Sequence, residues 1–206
     1  MLDPFMKLVL ASQSIDRKKC FQRAGIDVMQ IPSHFDEDSI ILADPLKKIA
    51  QIAFEKARIV KKIWLDQFFS TYGDALIIAA DTVGIFRGKL FGKPASRQKA
   101  SIMLKTLSGN THSVYTALNL QSTNTSQIES DIVQTNVHFQ TLTDSEIQAY
   151  LSSTDEYNSR AAAYSIIDRG SLFIDRIEGS FSNVIGLPMA QLRTLLTRFD
   201  IELFKE

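Results

Sequence analysis

Short unbroken apolar runs alternate along the chain with longer stretches in which apolar residues recur every three or four positions, the rhythm expected of an α/β fold. Residues 7–11 (KLVLA) form a strand-length run bounded by Ser12-Gln13-Ser14, and the mixed segment after them stops at Gly25. Strand, turn and helix are predicted in that order. Residues 26–31 are a second candidate strand, followed by a polar turn over 33–38. From Pro45, the positions Leu46, Ile49, Ile52, Ala53, Ile59, Val60 and Ile63 trace one face of a long amphipathic helix, and Lys56 falls inside that stripe. Residues 75–80 (ALIIAA) read as a strand buried on both faces that ends on Asp81.

Residues 83–90, with Gly88 at the turn, predict a hairpin, and residues 96–107 a helix capped by Ser96. Four further strands are expected at 113–120, 131–140, 163–166 and 172–177. Between them Thr143-Asp144-Ser145-Glu146 is a capping box that opens a helix to about Ser152, and a last helix runs from about Met189 to Phe199. With no internal repeat, low-complexity stretch or linker, a single domain over 1–206 is expected.

Composition narrows the function. The 206 residues carry 23 basic and 23 acidic side chains, a formal net charge of zero, which disfavours holding nucleic acid by bulk electrostatics but leaves room for a small anionic ligand. The 45% hydrophobic content and the lack of an 18-residue apolar run disfavour both a disordered chain and a membrane-spanning helix. Asp3 and Pro4 ahead of the first apolar run argue against a secretory signal. The single cysteine, Cys20, cannot form an internal disulfide, which fits a reducing cytosol, and the sequon Asn124-Thr125-Ser126 is then expected to be idle.

Several residues stand out chemically. A carboxylate directly after an apolar strand, as at Asp81, sits where open α/β sheets place ligands, although a turn or cap would use it equally well. A lysine in an apolar stripe, as at Lys56, either snorkels to water or points into a buried anion site. Ser12-Gln13-Ser14 can offer hydroxyls and backbone N–H groups to a phosphate at a helix N-terminus. Residues 88–94 (GKLFGKP) fail as a P-loop, with three residues between the glycines and Pro94 where Ser or Thr is needed, but Lys93 remains a phosphate contact. His34, His112 and His138 are too far apart for zinc spacing, and Cys20 reads as a small core residue.

The strings LASQSIDRK, EKA at Lys56, IIAADTV at Asp81, FGKP at Lys93, MLKTLSGNTHSVYTAL, AAAYSI and FSNVIGLP follow one another in the order seen in Maf-like proteins, the septum formation inhibitor family, which the chain resembles from Leu10 to Pro188. The resemblance implies an ITPase-like α/β fold: a mixed twisted sheet flanked by helices, in two lobes with a central cleft. It implies a cytoplasmic nucleoside triphosphate pyrophosphatase that uses Mg²⁺, or another divalent cation such as Mn²⁺, to release a nucleoside monophosphate and pyrophosphate. Dimerisation is common in the family, so a homodimer is implied, with no nucleic-acid polymer and no membrane as partner.

Position by position, the resemblance implies that Asp81, Glu37, Lys56 and Lys93 are catalytic. Glu37 and Asp81 hold the metal, and Asp81 is the better candidate for general base. Ser12, Ser14, Arg17 and Arg160 contact the substrate. Magnesium suits carboxylate and phosphate oxygens, and cations are needed to offset roughly four negative charges on a triphosphate.

The departures from the family pattern are local. Ile15 and Asp16 stand in place of the proline and first arginine of SxSPRR, and one close charge pair is worth about 4 kcal/mol at an effective dielectric of ~20. Ser159 to Asp168 (SRAAAYSIID) replaces the DKAGAYGIQG of dTTP- and UTP-preferring members, with Arg160 for lysine and Ile167 for a glutamine that would read the base. Base preference is therefore expected to be broader or different. The alternative from another class is a catalytically impaired nucleotide-binding relative acting in septation or cell-shape regulation, with Asp16 and Ile167 in its favour.

Overall fold

The protein is described by a computed structural model over residues 6–204. In chain order its elements are β1 (Lys7–Leu10), α1 (Ile15–Arg23), β2 (Met29–Gln30), α2 (Pro45–Gln67), α3 (Phe69–Tyr72), β3 (Ala75–Phe86), β4 (Lys89–Phe91), α4 (Arg97–Leu107), β5 (Thr111–Ser122), β6 (Ile128–Phe139), α5 (Asp144–Ser153), β7 (Ile174–Glu178), α6 (Phe181–Ile185) and α7 (Met189–Thr197), with single 3₁₀ turns between several of them. Seven strands make one mixed sheet in the order β2-β1-β3-β5-β6-β7, and β4 pairs with β3. β1 runs parallel to β2 and β3, whereas β3/β4 and β6/β7 are antiparallel. This is the mixed α/β architecture that the hydrophobic pattern predicts.

Local chemistry explains most boundaries. Ser14, Asp44, Ser96 and Thr143 each accept a backbone N–H in the first turn of the following helix, and Thr143 with Glu146 completes the reciprocal capping box. Two strands differ from expectation. β2 is two residues long within the apolar stretch 26–31, and 163–166 forms no strand. There Ala162 and Ala163 adopt φ of 60° and 65°, left-handed values that break an extended run.

The described chain divides into two compact units, one of residues 6–81, 116–133 and 186–204, the other of 82–115 and 134–185. In the first, Ala53, Ala57, Val60 and Trp64 on α2 form a stripe at helical spacing, and Ala57, Val60 and Trp64 pack with Ala75, Ile77 and Ala79, alternate residues of β3. The Trp64 indole donates to Gly73 O at 2.9 Å, just before β3 begins. Walking forward along β3 therefore means walking backward along α2, and that geometry sets what Asp81 meets.

In the second unit, α4 and α5 cover a core that includes Leu104, Leu107, Val114, Val137, Ile147, Tyr150 and Phe173. Gly84 admits the close approach of the left-handed segment, since a Cβ there would lie 3.3 Å from the Ala162 Cβ. His112, 2% exposed, packs edge-on against Phe139 and Tyr164 and shares a 2.9 Å hydrogen bond with the Tyr164 hydroxyl. Burial lowers its pKa to about 4. The unfolded chain, with an ordinary histidine near 6.5, takes up that proton first. Folding stability is expected to fall by about 3 kcal/mol as pH drops from about 6.5 to about 4. Urea unfolding of the protein and of His112→Gln across that range checks this, the variant having a flatter profile.

Candidate active site

Asp81 continues the β3 alternation through Ala75, Ile77 and Ala79 onto the face that α2 covers, and Lys56 continues the α2 stripe toward it. The two stripes end on each other. Lys56 Nζ donates to Asp81 Oδ1 at 2.8 Å and pairs with Glu37 Oε1 at 2.5 Å. Lys56 and Asp81 are 7% and 8% exposed, whereas the Glu37 side chain is half-exposed on a single 3₁₀ turn, Glu37–Ser39, capped by Asp36. Asp81 is not the last residue of its strand: β3 runs on to Phe86 because its continuation pairs with β4.

Burial pushes the Asp81 carboxyl above its usual range, against the pull of the Lys56 ammonium, and Glu37 adds to the upward push. A carboxylate held in this way becomes a better proton acceptor than an exposed aspartate.

The loop between β1 and α1 is folded around Arg17. Ser14 Oγ caps α1 by accepting from Arg17 N at 3.3 Å, and Ser12 Oγ accepts from Ser14 N at 3.1 Å and from an Arg17 guanidinium nitrogen at 3.2 Å. Arg17 Nε donates to Gly186 O at 2.8 Å. Gln30 Nε2, at the end of β2, donates to Ser12 O at 2.8 Å and Ser14 O at 3.2 Å, so the loop is pinned from both sides. Desolvation lowers the Arg17 pKa, opposed by the charges of Asp81 and Glu37 and, more weakly, of Cys20 and Asp16. Asp16 itself is 5% exposed in the first turn of α1, where the helix dipole favours a carboxylate.

Sequence reading missed Gln30 and Gly186. Gln30 was hidden within an apolar strand prediction. Gly186, at φ 109°, sits in the string FSNVIGLP, whose order marked it without revealing that its carbonyl anchors an arginine 169 residues earlier.

The remaining candidates lie in the second unit. Lys93 is exposed just after β4, and Gly92 O before it accepts from Ala162 N at 3.1 Å. That bond ties the Lys93 turn to the left-handed segment following Arg160. Arg160 lies 3.8 Å from Asp168 Oδ2, which also accepts from Ser165 Oγ at 2.7 Å. Three of the departures in SRAAAYSIID thus form one polar network, beside a half-buried Ile167.

Among the described residues no group of three or more His, Cys, Asp and Glu forms a ready-made metal cage. Glu37 and Asp81 nonetheless present two carboxylates to one cation, the Lys56 ammonium, and this donor set fits Mg²⁺, which takes one or two carboxylates and completes its shell with phosphate and water oxygens.

A model of the Maf-like protein family matches residues 7–199. Similar curated proteins include the dTTP/UTP pyrophosphatase of Thermoanaerobacter sp. (strain X514), 36% identical over 96% of this chain and 100% of that one. Those of Syntrophus aciditrophicus (strain SB), 36% over 90% and 86%, and of Lacticaseibacillus casei (strain BL23), 35% over 92% and 97%, bear the same name. Among solved structures, that of the Staphylococcus aureus Ham1 protein aligns with 94% of this chain and 99% of its own, at 10% identity and a TM-score of 0.49.

Removing the ammonium from between the carboxylates should be costly. Lys56→Met leaves Asp81 buried without its cation, and because Glu37 is half-exposed the loss should fall below that of a fully buried pair, at about 2–3 kcal/mol near pH 7. It should shrink as pH is lowered, since the folded Asp81 carboxyl, already raised, takes up a proton more readily than the unfolded one. Urea unfolding of both proteins at pH 7 and pH 5 measures it.

Proposed function

The chain belongs to the Maf-like protein family, and on that premise we propose that it is a nucleoside triphosphate pyrophosphatase, cutting between the α and β phosphates to release a nucleoside monophosphate and pyrophosphate. The observation that carries the reading is the convergence of Glu37 and Asp81 on Lys56. Hydrolysis of a phosphoanhydride needs a base for water and cations for the phosphate oxygens, and this cluster holds both.

Glu37 and Asp81 hold a divalent cation, Mg²⁺ or Mn²⁺. When bound, that cation compensates phosphate charge and acidifies water. The charges of the site call for one: Lys56 and Arg17 are set against Glu37, Asp81 and Asp16, so the cluster alone has no positive excess to offer a polyphosphate. Asp81 takes the proton from the attacking water as it closes on the α phosphorus. Ser12 and Ser14 use their oxygens as acceptors within the loop, which leaves their O–H groups to donate to phosphate. Arg17, fixed by Ser12 and Gly186, adds a charge of set direction. A role for Lys93 in phosphate contact and for Arg160 in substrate contact rests on the family resemblance alone.

The relatives named above act, by their names, on dTTP and UTP. In this chain the network of Arg160, Ser165 and Asp168 beside Ile167 offers a different surface, so we place its preferred base outside that pair or across a wider range. Binding without turnover is not favoured, because Glu37, Lys56 and Asp81 are all retained and brought into contact. Cytoplasmic location, a homodimer and a link to septum formation are proposals that rest on the family alone.

Incubating the protein with Mg²⁺ and a panel of standard and modified nucleoside triphosphates should release pyrophosphate and a monophosphate from at least one of them. No release from any, by protein shown to be folded, would overturn the assignment. Asp81→Asn should lower kcat by about 10²–10⁴-fold.

A further inference from the structure

The two carboxylates that the proposed reaction gives to a divalent cation are already engaged by an amine. Lys56 Nζ lies 2.5 Å from Glu37 Oε1 and 2.8 Å from Asp81 Oδ1, and it covers one oxygen of each while cancelling charge that would draw a metal ion. The two cationic side chains of this unit's site are held very differently. Arg17 is locked by Ser12 Oγ and Gly186 O. Lys56 is a point charge on a four-carbon stem whose donors rotate freely, and one of its two partners, Glu37, is half-exposed on a single 3₁₀ turn. Asp81 is fixed in the middle of β3.

We propose that Lys56 is a built-in counter-cation that exchanges with the divalent ion: it holds Glu37 and Asp81 together in the metal-free protein and, as the ion takes their oxygens, swings to a phosphate oxygen of the substrate. Ion and polyphosphate then bind cooperatively, because the ion frees the ammonium that the polyphosphate requires. This rests on the metal-dependent reading above and adds to it a positioning role for Lys56 that reads out in the absence of any substrate or turnover.

The test uses Mn²⁺ alone, with binding followed by electron paramagnetic resonance or calorimetry. Lys56→Met should bind Mn²⁺ at least about tenfold more tightly than the unmodified chain, within the 5–150-fold span of ordinary coupling between sites. Since that variant is weakened when metal-free, a second measurement uses the unmodified protein: reductive methylation of the Lys56 amine, located by peptide mass spectrometry, should speed up at saturating Mn²⁺ while exposed lysines such as Lys19 and Lys89 keep their rates. If the folded variant binds Mn²⁺ no more tightly, or Lys56 labelling does not change on saturation, the exchange is overturned although the metal-dependent reaction stands. Failure of the unmodified protein to bind Mn²⁺ at all overturns both.

Discussion

A lysine ammonium at the end of an otherwise apolar helix stripe can be buried only if oxygens of opposite charge meet it, and much of the first unit is arranged around that requirement. Placing Lys56 beside Asp81 fixes how far α2 slides along β3, with Trp64 and Gly73 setting the other end of the same contact. It also draws the turn bearing Glu37 onto the sheet, although that turn has no buried residue of its own to hold it there. An aliphatic pair would pack as well at lower desolvation cost. What the ion cluster adds is a polarised carboxylate at a defined point on a rigid strand.

The large helices were legible because their signals are local. Pro45 and the three- and four-residue spacing announced α2, Ser96 and Thr143 announced their helices by capping chemistry, and the apolar run at 75–80 announced β3. What failed were ends decided by distant partners. β3 passes through Asp81 because β4 returns alongside it, and β2 shrinks to two residues because only Val9 and Leu10 are opposite. The alternation of AAAYSI gave no warning of two left-handed alanines, which hydrogen bonding to Gly92 and packing against Gly84 impose at a cost of roughly 1–2 kcal/mol each.

The site was partly legible for a similar reason. Lys56 and Asp81 were anomalies within otherwise regular patterns, and anomalies show in a sequence. Glu37 came only from the resemblance, since an acidic residue in a polar turn is unremarkable by itself. Gln30 and Gly186 act through amide and carbonyl groups that every chain possesses in abundance, so nothing in their spacing distinguishes them. Asp16, which seemed a reversal of charge, has a local account as a carboxylate in the first turn of a helix, and its negative field also supports protonation of Arg17.

The bond from Arg17 to Gly186 joins residues 169 positions apart, and the strand that precedes the arginine's loop, β1, pairs with a β3 that begins only at Ala75. During synthesis the amino-terminal loop therefore emerges long before the carbonyl that orients its arginine. A nascent chain halted anywhere short of residue 186 has the serines and the guanidinium but lacks the carbonyl that holds Arg17 Nε, so this anchor of the loop forms only after 169 further residues have been added.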